Sequence, residues 1–279
     1  MRWQKSSRSR NLEDRRGGGM GRAGGMGIGG VVVVLLIALV TKQNPLTLLG
    51  ALDQGGVPTD TVAPISDPNE EPKVLFVSFV LDDAQAMWAE MLPRTGTPYR
   101  DARLVLFRDK VSSACGVAGS ATGPFYCPGD EKVYIDLGFY DELAQRFGAP
   151  GDFAEAYVLA HEVGHHVQHV QGTNRAVAEA SQRRPDQANA LSVKLELQAD
   201  CYAGIWAARA AANGRLETGD LQEGLGAAAA VGDDRLQRAS TGEVQPESFT
   251  HGTSEQRMTW FRRGFDNGDP SYCDTFGSR

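Results

Sequence analysis

From Val74 to Leu92 apolar side chains recur every three or four positions, through Val77, Val80, Leu81, Ala84, Trp88 and Met91, and the run stops at Pro93. That spacing predicts a helix with one face in a core, ended by a residue that cannot continue it. Arg103-Leu104-Val105-Leu106-Phe107 and Lys132-Val133-Tyr134-Ile135-Asp136 are short apolar or β-branched runs between Gly-rich turns, and read as strands. Asp136 to Phe147 reads as a short helix with Asp136 as its candidate cap. After Gly151 the pattern is helical almost to the end, with breaks around Gly172 to Asp186, at Asn213-Gly214, from Gly242 to Thr253 and at Gly268. A small sheet packed on a mostly helical domain is an α+β fold.

Before Lys73 the pattern changes. Arg2, Lys5, Arg8, Arg10, Arg15, Arg16 and Arg22 face only Glu13 and Asp14, so residues 1–22 read as a basic, disordered cytoplasmic tail. Ala23 to Thr41 is an uncharged stretch of 19 residues centred on the run Val31 to Val40, close to the ~20 that a helix needs to cross a bilayer. Residues 23–41 are therefore expected to form a single transmembrane signal-anchor. Basic residues stay inside, which places the N-terminus in the cytoplasm and the rest of a cell-membrane protein outside it. The rival reading is a cleaved signal peptide, although no clear small-x-small site follows. Residues 42–72, with Pro45, Pro58, Pro64, Pro68 and Pro72, read as a linker, and residues 73–279 as the catalytic domain.

Composition narrows the classes. The 279 residues are 41% hydrophobic and 23% charged, which suits a folded chain, and a net charge of −7 argues against a nucleic-acid partner. Cys115, Cys127, Cys201 and Cys273 make an even count in an exported setting, which favours two disulfides over four free thiols. Cys115 and Cys127 flank a Gly-rich loop and pair, which leaves Cys201 with Cys273. No CxxC pair occurs, so the thiols do not suggest a zinc site.

The chemistry concentrates in His161-Glu162-Val163-Gly164-His165, led in by the apolar run Tyr157 to Ala160. Residues four apart on a helix share a face, so the two histidines can bind one Zn²⁺. Glu162 stands beside the metal, where its carboxylate can take a proton from water. A third ligand is needed. Glu196 and Asp200 lie four apart in an apolar helix, so that one can bind zinc and the other can hold a ligand histidine by its second N–H. His169, one turn beyond His165, competes as a ligand, but a straight helix does not bring three such residues to one tetrahedral ion. His166 reads as a surface residue and Tyr157 as core. His251 precedes the capping box Thr253-Ser254-Glu255-Gln256, where it can pack or can donate a hydrogen bond to an oxyanion.

The chain resembles the bacterial neutral zinc metallopeptidases of the zincin class. The resemblance is carried by Cys115-Gly116, Gly123-Pro124-Phe125-Tyr126-Cys127-Pro128, Val133-Tyr134-Ile135-Asp136, Ala160 to Gln168, Glu196 to Gly204 and His251 to Arg257, and it covers about residues 74 to 275. It implies a zincin-like fold, His161, His165 and Glu196 as zinc ligands, Glu162 as catalytic base, and Asp200 behind the ligands. It also implies a basic N-terminus with one membrane segment. The expected function is zinc-dependent hydrolysis of a protein or peptide substrate. The alternatives are a proteolytically silent, zinc-binding scaffold or sensor at the cell surface and a cell-wall amide hydrolase.

Overall fold

The structure, a computed structural model, describes residues 1–17 and 68–277. In chain order these form β1 (Leu12–Asp14), α1 (Glu71–Met91), β2 (Arg103–Phe107), β3 (Lys110–Ser113), β4 (Gly116–Gly119), β5 (Phe125–Cys127), β6 (Lys132–Asp136), α2 (Gly138–Gln145), α3 (Asp152–Gln171), α4 (Thr173–Arg183), α5 (Ala188–Ala212), α6 (Asp220–Ala230), α7 (Asp233–Ser240) and α8 (Ser254–Asn267). The α+β expectation holds. The four-stranded sheet runs β1-β2-β6-β5, with β1, β2 and β6 parallel and β5 antiparallel at one edge, and β3 and β4 make a separate hairpin.

α3 sits at the centre. It is buried almost continuously from Phe153 to Val163, on its polar motif residues as well as its apolar ones. It packs on α1, α5, α6 and on strands β5 and β6. Two close approaches set the spacing of its neighbours. A Cβ at Gly164 would meet the Ala199 carbonyl at 3.1 Å, so the bare glycine inside the histidine motif lets α5 come close to α3. A Cβ at Gly264 would fall 1.9 Å from the Cys201 carbonyl, and one at Gly204 would fall 2.0 Å from that of Phe261. These glycines let α8 lie against α5, and the Cys201–Cys273 disulfide closes the same corner. The second disulfide joins Cys115 to Cys127, as expected.

The expected transmembrane helix ahead of the domain is corrected. No helix among the described residues is long and apolar enough to cross a membrane. Residues 23–41 themselves lie outside the described residues. The chain on both sides of them belongs to one sheet, because Leu12, Glu13 and Asp14 pair with Leu104, Val105 and Leu106. A segment crossing a membrane once between β1 and β2 would separate these strands by the bilayer. The basic N-terminal residues are bound by acids on the domain. Arg16 is buried between Asp14 and Glu70, each at 2.6 Å, Arg8 bonds Asp14 and Glu71, and Lys5 reaches Asp82 at 2.6 Å. A disordered tail therefore does not describe residues 1–17. Two smaller differences follow the same logic of packing. α4 occupies most of the expected break after Gly172. The N-cap of α2 is Leu137, with the Asp136 carboxylate taking the Gly138 N–H at 2.9 Å.

Replacing Gly264 by alanine should force α5 and α8 apart and lower stability by about 3 kcal/mol. Gly226→Ala, at a helical position with nothing within 4 Å of an added Cβ, should leave stability unchanged or raise it. Thermal unfolding of the two variants checks the contrast.

Candidate metal centre

α3 presents His161 and His165 one turn apart, with ring centroids 4.7 Å apart. α5, brought close by Gly164, lays Glu196 across them. His161 Nε2 stands 3.2 Å from Glu196 Oε2, and His165 Nε2 stands 3.4 Å from Glu196 Oε1. One donor atom from each of the three residues lies within 4.8 Å of the others, a spacing that a single metal ion can bridge. The donor set, two imidazoles and a carboxylate, suits zinc with one position left for water.

The other nitrogen of each imidazole is taken. A carboxylate can only accept, so His161 Nδ1–H donates to Asp200 Oδ1, at 2.8 Å. His165 Nδ1–H donates to Gln168 Oε1 at 2.9 Å, because the Gln168 amide nitrogen is spent on the Leu195 carbonyl and on Gln198. Both rings are thus turned so that Nε2 faces Glu196, the tautomer a metal ligand needs.

Asp200 is fully buried and carries four bonds. Besides His161 it accepts from Tyr157 Oη at 2.5 Å, Arg257 Nε at 2.8 Å and Arg257 Nη2 at 2.9 Å. Burial pushes its carboxyl up, but the charges of Arg257 and His161 outweigh that and hold it below the usual range. Burial likewise pushes the His161 imidazole down, and the charge and hydrogen bond of Asp200, with the bond to Glu196, overcome it and raise it to about 9. Glu196 is desolvated too, yet the two histidines keep it well below an ordinary glutamate.

Glu162 differs from these groups. It is buried, burial raises its carboxyl, and the two histidines offset this only in part. Among the described residues its Oε2 has no hydrogen-bond partner. It lines, with His161, His165, Glu196 and Arg257, a cavity of about 730 Å³. His251 lines the same cavity, half exposed, with Nδ1 at 3.1 Å from Asp233 Oδ1. Asp233 is held in turn by the backbone N–H groups of Thr250, His251 and Gly252. His251 is therefore brought to the site by α7 and the turn before α8.

The other histidines are placed elsewhere. His169 stands 3.4 Å from Glu131 and outside the metal-binding trio. His166 is not a surface residue. It is fully buried, its Nε2–H donates to the Arg100 carbonyl at 2.6 Å, and its Nδ1 accepts from Tyr126 Oη at 2.9 Å. Arg257 and Gln168, which the spacing of the metal motif does not single out, hold Asp200 and the His165 ring respectively. The signal for Arg257 was present. It shares a face with Phe261 and Gly264 at i, i+4 and i+7, so an arginine on the buried stripe of α8 needs a buried anion. Tyr157 is core by burial, but its hydroxyl belongs to the Asp200 cluster.

In the metal-free chain His161 sits above its unfolded value of 6.5. The stability it contributes is therefore full below pH 6.5 and is lost as pH rises through about 9. Thermal unfolding of metal-free protein should fall across that window. Zinc binding at pH 7.5 should release protons, read by calorimetry in buffers of different ionisation heat. Asp200→Asn should weaken zinc by about 10- to 100-fold while the ligands remain.

No solved structure matches this chain. The chain is 45% identical over 284 aligned positions, covering 99% of each chain, to the uncharacterized protein YpfJ of Escherichia coli (strain K12). It is 43% identical over 208 positions, 71% of this chain and 68% of the other, to the uncharacterized protein Rv2575 of Mycobacterium tuberculosis. The family model described as "Putative neutral zinc metallopeptidase" matches residues 1–276, so the N-terminal strand falls within the match as well as the metal centre. The chain belongs to that family.

Proposed function

We propose that the chain is a zinc-dependent peptidase in which His161, His165 and Glu196 hold the metal and Glu162 is the base. The observation that carries this reading is the buried, unpartnered Glu162 oxygen on the wall of the cavity, beside three groups whose donor atoms converge. A buried carboxylate oxygen without a partner is costly. A purely structural zinc site has no use for it, which argues against a silent scaffold. Hydrolysis does, because a base must take the proton of the attacking water and return it to the leaving nitrogen.

When bound, zinc supplies a Lewis acid that polarises the scissile carbonyl and acidifies a water. The chain's residues do the rest. Asp200 and Gln168 fix the two imidazoles by their Nδ1 atoms, and Arg257 and Tyr157 keep Asp200 charged and in place. Burial raises the Glu162 carboxyl, which favours its taking a proton and giving it back. His251 keeps Nε2 to donate to the oxygen of the tetrahedral intermediate, while Asp233 orients the ring. The two disulfides support an oxidising compartment as the working location.

Metal analysis and hydrolysis of an unfolded protein substrate test the assignment together. Glu162→Gln should retain about one zinc per chain and lose at least ~100-fold in kcat. His161→Ala and Glu196→Ala should lose zinc itself. Full activity in Glu162→Gln would exclude this role, and a zinc-free wild type would exclude the metal centre.

A further inference from the structure

We infer that a second cavity, between the N-terminal segment and α1, is a binding site for a small zwitterion, an amino acid with an aliphatic side chain. Its lining shares no residue with the cavity at the metal centre, and the inference does not rest on the peptidase reading.

The cavity has a volume of about 430 Å³, within the range of small-molecule sites. Asp82, Gln85, Ala86 and Ala89 line it. They recur at three and four positions and so share one face of α1, and the two alanines leave open a space that longer side chains would fill. The segment that crosses this face is fixed to it. Lys5 Nζ donates to Asp82 Oδ2 at 2.6 Å, Ser9 Oγ to Asp82 Oδ1 at 2.5 Å, and Asn11 Nδ2 to Asp101 Oδ2 at 3.0 Å.

Most of the charge around the cavity is already matched. Lys5 pairs with Asp82, and Arg8 with Asp14 and Glu71. Three lining groups are left over. Gln85 is 3% exposed, its Oε1 accepts from Tyr99 Oη at 3.5 Å, and its Nε2 has no partner among the described residues. A buried N–H donor without an acceptor is costly. Arg10 is exposed and pairs with no acid among the described residues. Asp101 accepts only the neutral Asn11 amide and pairs with no cation among them. The unmatched set is one cation, one N–H donor and one anion. A carboxylate answers the first two with charge-assisted bonds, and an ammonium answers Asp101. An aliphatic side chain between them lies against Ala86 and Ala89. A phosphate dianion fits this set poorly, because it meets the acids Asp82 and Asp101 and brings no cation of its own.

Leucine, N-acetyl-leucine, leucinamide and inorganic phosphate are each titrated into the full-length, zinc-loaded chain by calorimetry. Leucine should bind at least ~10-fold more tightly than either blocked form or phosphate. Arg10→Gln and Gln85→Leu should each weaken leucine at least ~10-fold. Arg10 is exposed, so Arg10→Gln should keep the zinc content and thermal unfolding of the wild type, which separates loss of the site from loss of the fold. Leucine binding that survives Arg10→Gln undiminished overturns the site, as does a wild type that binds no leucine. Blocked forms that match leucine, or phosphate that exceeds it, overturn the zwitterion as its ligand.

Discussion

A carboxylate without access to water, Asp200, joins three helices to one imidazole. It sits on α5, takes the N–H of His161 and the hydroxyl of Tyr157 from α3, and receives two bonds from the Arg257 guanidinium of α8. A buried charge is tolerable only when it is paired and its lone pairs are filled. Arg257 is just as buried, so neither ion can be removed without stranding the other. The cluster thus specifies how α3, α5 and α8 meet. The glycines at 164, 204 and 264 then allow the approach that the cluster demands.

The site's electrostatics follow from this constraint. With Nδ1 of both histidines engaged, their Nε2 atoms have one direction left, toward Glu196. The attraction is strong enough that, in the metal-free chain, His161 holds a proton above neutral pH and Glu196 remains ionised. A metal cation held by His161, His165 and Glu196 would take the place of that proton. Glu162 is the one carboxylate of the group that this pairing leaves over, and it is the one aimed into the cavity without a partner among the described residues.

The N-terminal strand changes how the chain is organised. β1 extends the sheet by parallel pairing with β2, and the arginines that look like a cytoplasmic tail are neutralised by Asp14, Glu70 and Glu71. Parallel pairing needs a long crossover, so the segment between β1 and β2 can be long without cost to the ladder. The match of the family model from residue 1 agrees with this strand being part of the fold.

Much of the site was legible from residue spacing. Helical period places His161, Glu162 and His165 on one turn and Glu196 and Asp200 on another, and the capping box before Gln256 starts α8 as read, with Thr253 accepting from the Gln256 N–H. The strands 103–107 and 132–136 were visible because their apolar runs are continuous. β1, β3, β4 and β5 were not, because runs of three or four residues are too short to carry a period of their own and become strands only by pairing. By itself, the sequence determined the α+β class and which residue types could bind a metal, since these depend on local period and residue type, and the short 115–127 loop pointed to one disulfide and so left Cys201 for Cys273. The tertiary structure decided which acid faces the two Nε2 atoms, that His166 is interior, that Arg257 completes the Asp200 cluster, and that residues 1–17 join the sheet. Each of these depends on contacts between segments far apart in the chain, whose charges and hydrogen-bonding groups find their partners only once the helices have packed.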